Sequence, residues 1–191
     1  MGEYSKALEY YQKSCEIRKS LPPDHPDLAT SYNSIANVYQ DMGEYSKALE
    51  YYQKSLEIRQ KSLPPAHPDL AASYSNIANV YRNMGEYSKV LEYYQKSFEI
   101  RKKSLSPDHP DLAASYNNIA NAYQDMGEYS KALEYYQKSL EIRTKSLPPD
   151  HPQLATSYNS IASVYLNMHD YSRALKNFEL ALDILQRVVP R

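Results

Sequence analysis

Apolar side chains recur along this chain at steps of three and four, with polar residues between them. Leu28, Tyr32, Ile35, Ala36 and Tyr39 share one face of a helix. A second run turns Ala48, Leu49, Tyr52, Leu56 and Ile58 inward and Lys47, Glu50, Lys54 and Glu57 outward. Boundary signals bracket both runs. His25-Pro26-Asp27 opens the first, because proline in a first helical turn lacks only an N–H that would go unpaired there, and Asp27 meets the positive end of the helix dipole. Gly43 ends it, supplying a residue that adopts positive φ without strain. The second helix begins near Ser46 and stops at Leu63-Pro64-Pro65. So short a connection makes the two helices antiparallel.

The pair is one unit of a repeat. MGEYSKALEYYQKS begins at Met1, near-copies begin at Met42, Met84 and Met126, and a diverged copy, MHDYSRALKNFELA, begins at Met168. The steps are 41, 42, 42 and 42 residues. A helix pair of this size cannot bury its apolar face alone, so its copies must stack as a solenoid. The expected organisation is one array over 1–191: a half repeat at 1–21, then full repeats at about 25–63, 67–105, 109–147 and 151–189. The chain opens on a second helix (about 4–20), as a piece of a longer array would.

Within the unit, Tyr32-x2-Ile35-Ala36-x2-Tyr39 followed by Ala48-x3-Tyr52 resembles the tetratricopeptide pattern of large residue, aliphatic-small pair and tyrosine, then alanine and aromatic. The period exceeds the usual 34 or so residues of that repeat by about eight. His-Pro before the first helix and Ser55-Leu56-Glu57-Ile58-Arg59 in the second resemble the long, kinesin light chain-like form, with serine where that form has alanine. The resemblance implies an all-α, right-handed superhelical solenoid of antiparallel helix pairs whose concave wall is lined by first helices. It implies a scaffold for protein–protein interaction that holds an extended peptide or partner segment in that groove. The alternative is a structural or self-associating array without a groove ligand.

Projected onto this chain, the wall positions are Thr30, Asn33, Asn37, Gln40 and Asp41 in the first full unit. Later units supply Ser75, Asn76, Asn79 and Arg82, then Asn117, Asn118, Asn121 and Gln124, then Asn159 and Ser163. Asparagine both donates and accepts, so a ladder of it suits the backbone of an extended peptide. In kinesin light chain-like arrays the asparagines beside the Ile-Ala pair serve cargo peptides. The matching residues are Asn33, Asn76, Asn117, Asn118 and Asn159. Repeats that clamp a terminal carboxylate need cations where this chain has Asn33, Ala114 and Asn118, so that function is not expected.

Composition narrows the partners. With 22 Lys and Arg against 23 Asp and Glu, the net charge is −1, which disfavours nucleic acid or an anionic membrane held by bulk electrostatics. No apolar run reaches the ~18 residues of a membrane helix, and no signal core opens the chain. The single cysteine, Cys15, stands where other units have Leu56, Phe98 and Leu140, and reads as a small core residue of a cytoplasmic protein. His25, His67, His109 and His151 sit on separate helices about 8–10 Å apart, too far to share an ion, so they read as helix caps and no metal or cofactor is expected. Nucleophile–base pairs and phosphate loops are lacking, so no enzyme is expected.

Two departures from repetition stand out. Val90 replaces Ala7, Ala48, Ala132 and Ala174 at a tight contact, which predicts overpacking. In the last helix Leu180, Leu185 and Val188 replace Lys138, Arg143 and Ser146. A terminal cap should become more polar, so this end is expected to be covered by further chain, by a partner or by a second copy.

Overall fold

The computed structural model describes residues 2–18 and 20–188, with the side chains of Gly2, Glu3 and Val188 outside that description. Among the described residues there are helices only: α1 (Gly2–Arg18), α2 (Pro26–Asp41), α3 (Tyr45–Ser62), α4 (Pro68–Asn83), α5 (Tyr87–Ser104), α6 (Pro110–Asp125), α7 (Tyr129–Ser146), α8 (Pro152–Asn167) and α9 (Tyr171–Val188). The chain divides into two compact units, Met1–Ser104 and Leu105–Arg191, and the division falls between two repeats. The first unit holds α1–α5 and the second α6–α9.

Each first helix is capped by its histidine. The Nδ1 of His25, His67, His109 and His151 accepts the backbone N–H two residues on, at 3.1–3.2 Å, which satisfies one of the donors a helix start leaves open. At the other end Gly43, Gly85 and Gly127 adopt φ of +75° to +76°, and the chain turns into the second helix. In the last unit His169 takes that place at φ +60°, a conformation L residues adopt only with strain.

Cores form where the first and second helices of a pair cross. Leu28, Ile35, Ala36 and Tyr39 of α2 are buried against Ala48, Tyr52, Leu56 and Ile58 of α3, while Tyr32 and Leu49 are half-buried at the margin. Cys15 is buried in the same cluster. The serine that departs from the alanine of similar repeats has a structural role. Ser55 Oγ donates to Ala29 O at 2.7 Å, and Ser97 and Ser139 repeat the bond to Ala71 O and Ala113 O at 2.8 Å. All three hydroxyls are buried, and each ties a second helix to the first helix of its own pair.

A different bond joins one pair to the next. Arg18 on α1 donates to Ser31 Oγ on α2 at 2.7 Å, Arg59 on α3 to Ser73 Oγ on α4 at 2.7 Å, and Arg143 on α7 to Ser157 Oγ on α8 at 2.6 Å. Each serine in turn donates to the carbonyl four residues back, so its buried hydroxyl is fully used. Burial holds the Arg143 guanidinium below its usual range, which marks how little water reaches this contact.

Val90 is fully buried. Its pair carries Tyr81 and Tyr93 tilted at 42°, where the equivalent pairs Tyr39–Tyr51 and Tyr123–Tyr135 stack at 22° and 25°. Ala48 and Ala132 show that the same helix crossing closes completely on alanine. The void left by Val90→Ala can therefore collapse, and the variant is expected to melt at the same temperature or higher. Differential scanning calorimetry checks this, and a fall of several degrees would contradict it.

Candidate functional site

The wall residues are set by the 3.6-residue period of the first helices and by what lies beneath them. Thr30, Asn37 and Asp41 are exposed on α2, while Asn33 and Gln40 are half-buried. On α4, Asn76, Asn79 and Arg82 are half-buried. On α6 the half-buried set is Asn117, Asn118, Asn121 and Gln124, and on α8 Asn159 is exposed and Ser163 half-buried. Ser75 departs from this pattern. It is buried, and its hydroxyl pairs with Ser97 Oγ at 2.8 Å, so it braces α4 against α5 and does not face a ligand.

Neighbouring first helices meet along this wall inside each unit. In the first unit Asn76 Nδ2 donates to Asn33 Oδ1 at 3.2 Å, linking α4 to α2. In the second, Gln124 Nε2 donates to Ser163 Oγ at 3.3 Å, linking α6 to α8. The amide rows are therefore continuous surfaces within each unit.

The sequence did not reveal how the asparagines are held. The Tyr52 hydroxyl of α3 donates to Asn37 Oδ1 and lies 2.9 Å from Gln40 Oε1. Tyr94 donates to Asn79 Oδ1 at 2.5 Å. Tyr136 donates to Asn121 Oδ1 and lies 2.8 Å from Gln124 Oε1. One phenolic proton cannot serve two acceptors at once, and the asparagine holds the shorter contact. With each asparagine carbonyl engaged from beneath, its amide N–H2 group has no protein partner among the described residues. The 15-residue step from Asn37 to Tyr52 is visible in sequence, but tyrosine at a core position reads as bulk, and nothing in the pattern signals its hydroxyl.

The Tyr52 phenol stays protonated at any ordinary pH. Burial pushes Tyr52 up to about 12, with the Asp41 carboxylate adding to the effect. A phenol with a folded pKa above its unfolded value near 10 contributes stability that is present below pH 10 and is lost as pH rises towards 12. Chemical unfolding across that window should therefore show a smaller alkaline loss for Tyr52→Phe than for the wild type. Equal losses would mean the phenol titrates normally.

On the other edge of each pair, tyrosines and lysines form a closed set. Tyr51 packs with Tyr32 and Tyr39 at centroid distances of 6.0 and 5.5 Å, and Lys54 sits 4.9 Å over its ring. Hollows of about 330 and 460 Å³ open beside Tyr32 and Tyr74. Lys54 and Lys96, which line one hollow each, pair with Glu50 and Glu92 at 2.6 Å.

At the chain's last helix, Leu180 and Leu185 are both exposed, at 40% and 41%, but five residues place them about 140° apart around α9. They do not share a face, and the side chain of Val188 lies outside the described residues. Among the described residues no cluster of His, Cys, Asp and Glu could hold a metal ion, and no helix is long and apolar enough to cross a membrane.

Comparison with known proteins matches this geometry to a family. The family model described as Tetratricopeptide repeat matches residues 1–61, 69–145 and 111–187. Among solved structures, a candidate kinesin light chain with nearly identical TPR-like repeats from Podosopora anserina is 27% identical, with a TM-score of 0.86 over 100% of this chain and 90% of that one. BtubC (BKLC) from P. vanneervenii is 22% identical with a TM-score of 0.87, over 100% of this chain and 78% of that one. The apo form of RapI is 23% identical with a TM-score of 0.82, and this chain spans half its length. No curated protein sequence matches the chain. The chain belongs to the tetratricopeptide repeat family, and its 42-residue units are of the kinesin light chain-like kind.

Proposed function

We propose that this chain is a protein-interaction scaffold whose first-helix walls hold an extended peptide or partner segment. One wall is formed by α2 with α4, the other by α6 with α8. The observation that carries this reading is the set of asparagines Asn37, Asn79 and Asn121, each held through its carbonyl by a tyrosine beneath it, with its N–H donors unpaired among the described residues. Fixed donors at regular intervals suit peptide carbonyls, which every sequence provides. Rigid amides also lose little freedom on binding, so more of each hydrogen bond appears as affinity. Tetratricopeptide arrays are generally interaction scaffolds, which agrees with this role and with the absence of a proposed catalytic function. The near-balanced charge and the buried Cys15 favour a cytoplasmic setting and a peptide partner over nucleic acid.

A displayed library of random peptides, panned on the wild-type chain, supplies the probe. Among the described residues the side chains of Asn117, Asn118 and Asn159 have no hydrogen-bond partner, so changing all three to alanine should leave melting almost unchanged. The selected peptides should bind this variant at least about tenfold more weakly. Undiminished binding would exclude the wall formed by α6 with α8 as the binding surface. The exposed apolar face of α9 favours a second reading, in which the array also associates with itself.

A further inference from the structure

The last helix exposes a continuous apolar stripe. Tyr171, Leu175, Phe178, Leu182 and Leu185 follow one another at steps of four, three, four and three, and are 39–63% exposed. Leu166, at the end of α8 and 45% exposed, belongs to the same terminal surface. The corresponding residues of α7, 42 positions earlier, show what such a face takes. Tyr129, Leu133, Tyr136 and Leu140 pack in clusters with Ile161, Val164 and Leu154 of α8. The face is therefore one that receives a helix.

The polar groups that seat a first helix are missing from it. Arg143, which bonds Ser157 of α8, corresponds to Leu185. Gln124, which bonds Ser163 of α8, corresponds to Leu166. A further first helix of this kind would bring a serine with no arginine to meet it. The occupant that fits is an apolar helix face.

Among the described residues, α9 itself offers such a face. Tyr4, Tyr10, Tyr11 and Ile17 are exposed on α1, but adjacent Tyr10 and Tyr11 point about 100° apart, so they form no single stripe. We propose that the terminal surface is the contact between two copies of this chain, with α9 packed antiparallel on α9 across a two-fold axis. The spacing of Leu175, Phe178, Leu182 and Leu185 reads the same in both directions. Antiparallel pairing therefore sets Leu175 of one copy against Leu185 of the other, and Phe178 against Leu182, as a self-complementary interface requires. The stripe and Leu166 together expose roughly 600 Å² per copy, which brings a pair to the lower limit of a specific interface at about 1,200 Å² in total. This inference deepens the self-association reading and is independent of peptide binding by the first-helix walls.

Sedimentation equilibrium of the whole chain over a wide concentration range tests it. The wild type is expected to form dimers that do not grow further. Leu175→Glu with Leu182→Glu should raise the dimer dissociation constant by roughly a hundredfold or more, with helical circular dichroism unchanged. If those glutamates disturb the helix, Leu175→Ser with Leu182→Ser gives the same reading. Leu180→Glu, on another face of α9, should leave the dimer intact. A wild type that stays monomeric, a mass that grows beyond the dimer, or a dimer unaffected by either double variant would overturn the proposal. So would a Leu180→Glu variant as monomeric as the double variants.

Discussion

Replacing Asn37, Asn79 and Asn121 together by alanine should cost the chain roughly 3 kcal/mol of stability, at about 1 kcal/mol for each buried phenol deprived of its nearest acceptor. On sequence alone these three are surface amides in a ladder, and their removal would be nearly silent. The structure makes each one the outer end of a bond that begins in the core, at tyrosines only 2–3% exposed. Gln40 and Gln124 lie near Tyr52 and Tyr136, and the losses at these two sites should be smaller if those amides take over. Thermal and chemical melts of the three single variants and the triple variant measure this. A triple variant as stable as the wild type would show that the phenols find water equally well. A loss of peptide binding in the triple variant therefore mixes two causes, which is why Asn117, Asn118 and Asn159 are the better probes of the wall.

Replacing Arg59 or Arg143 by alanine should weaken the junction between neighbouring helix pairs by about 2 kcal/mol, the range of a hydrogen bond to a charged group plus lost packing of the side-chain stem. The guanidinium bonds the clasp serine of the next pair, at 2.7 Å for Arg59 and 2.6 Å for Arg143. In a repeat protein the coupling between neighbours sets how sharply the array melts. Arg59→Ala should therefore broaden the transition of the first unit as well as lower it, and Arg143→Ala should do the same in the second. Hydrogen exchange resolved by segment is the check. Uniform loss of protection without any loosening between α3 and α4 would show that the arginine contributes only bulk.

The fold was legible because the repeat prints its rules several times. Helix ends at His-Pro, Gly43 and Leu63-Pro64 fall within a residue or two of the observed ends; of the expected stripes Tyr32 and Leu49 are only half-buried, while Ala29, Ser31, Val38 and Ser55 are buried beyond them. The histidines act as caps, and Cys15 is buried. Less legible was which polar residues work inside the fold. Ser55 looked like a copied substitution, yet its hydroxyl joins the two helices of a pair. Ser75 was placed on the wall by counting, yet it is buried against Ser97, because a serine small enough to enter the helix crossing follows the opportunity to bond there. Periodicity reports the average direction of a side chain and cannot report a specific partner 15 or 26 residues away. The same limit applied at α9, where listing replacements singled out Leu180 and Leu185, while exposure along the helix defines the stripe from Tyr171 to Leu185.

The proposed binding of peptides on the first helices can be mapped directly. A library-selected peptide carrying a photoreactive benzophenone residue, cross-linked to the wild-type chain and mapped by mass spectrometry, tests it most directly. The account predicts adducts on α2, α4, α6 or α8 at or beside the wall asparagines. Adducts confined to the second helices, to the tyrosine–lysine edge or to the α9 stripe would contradict it.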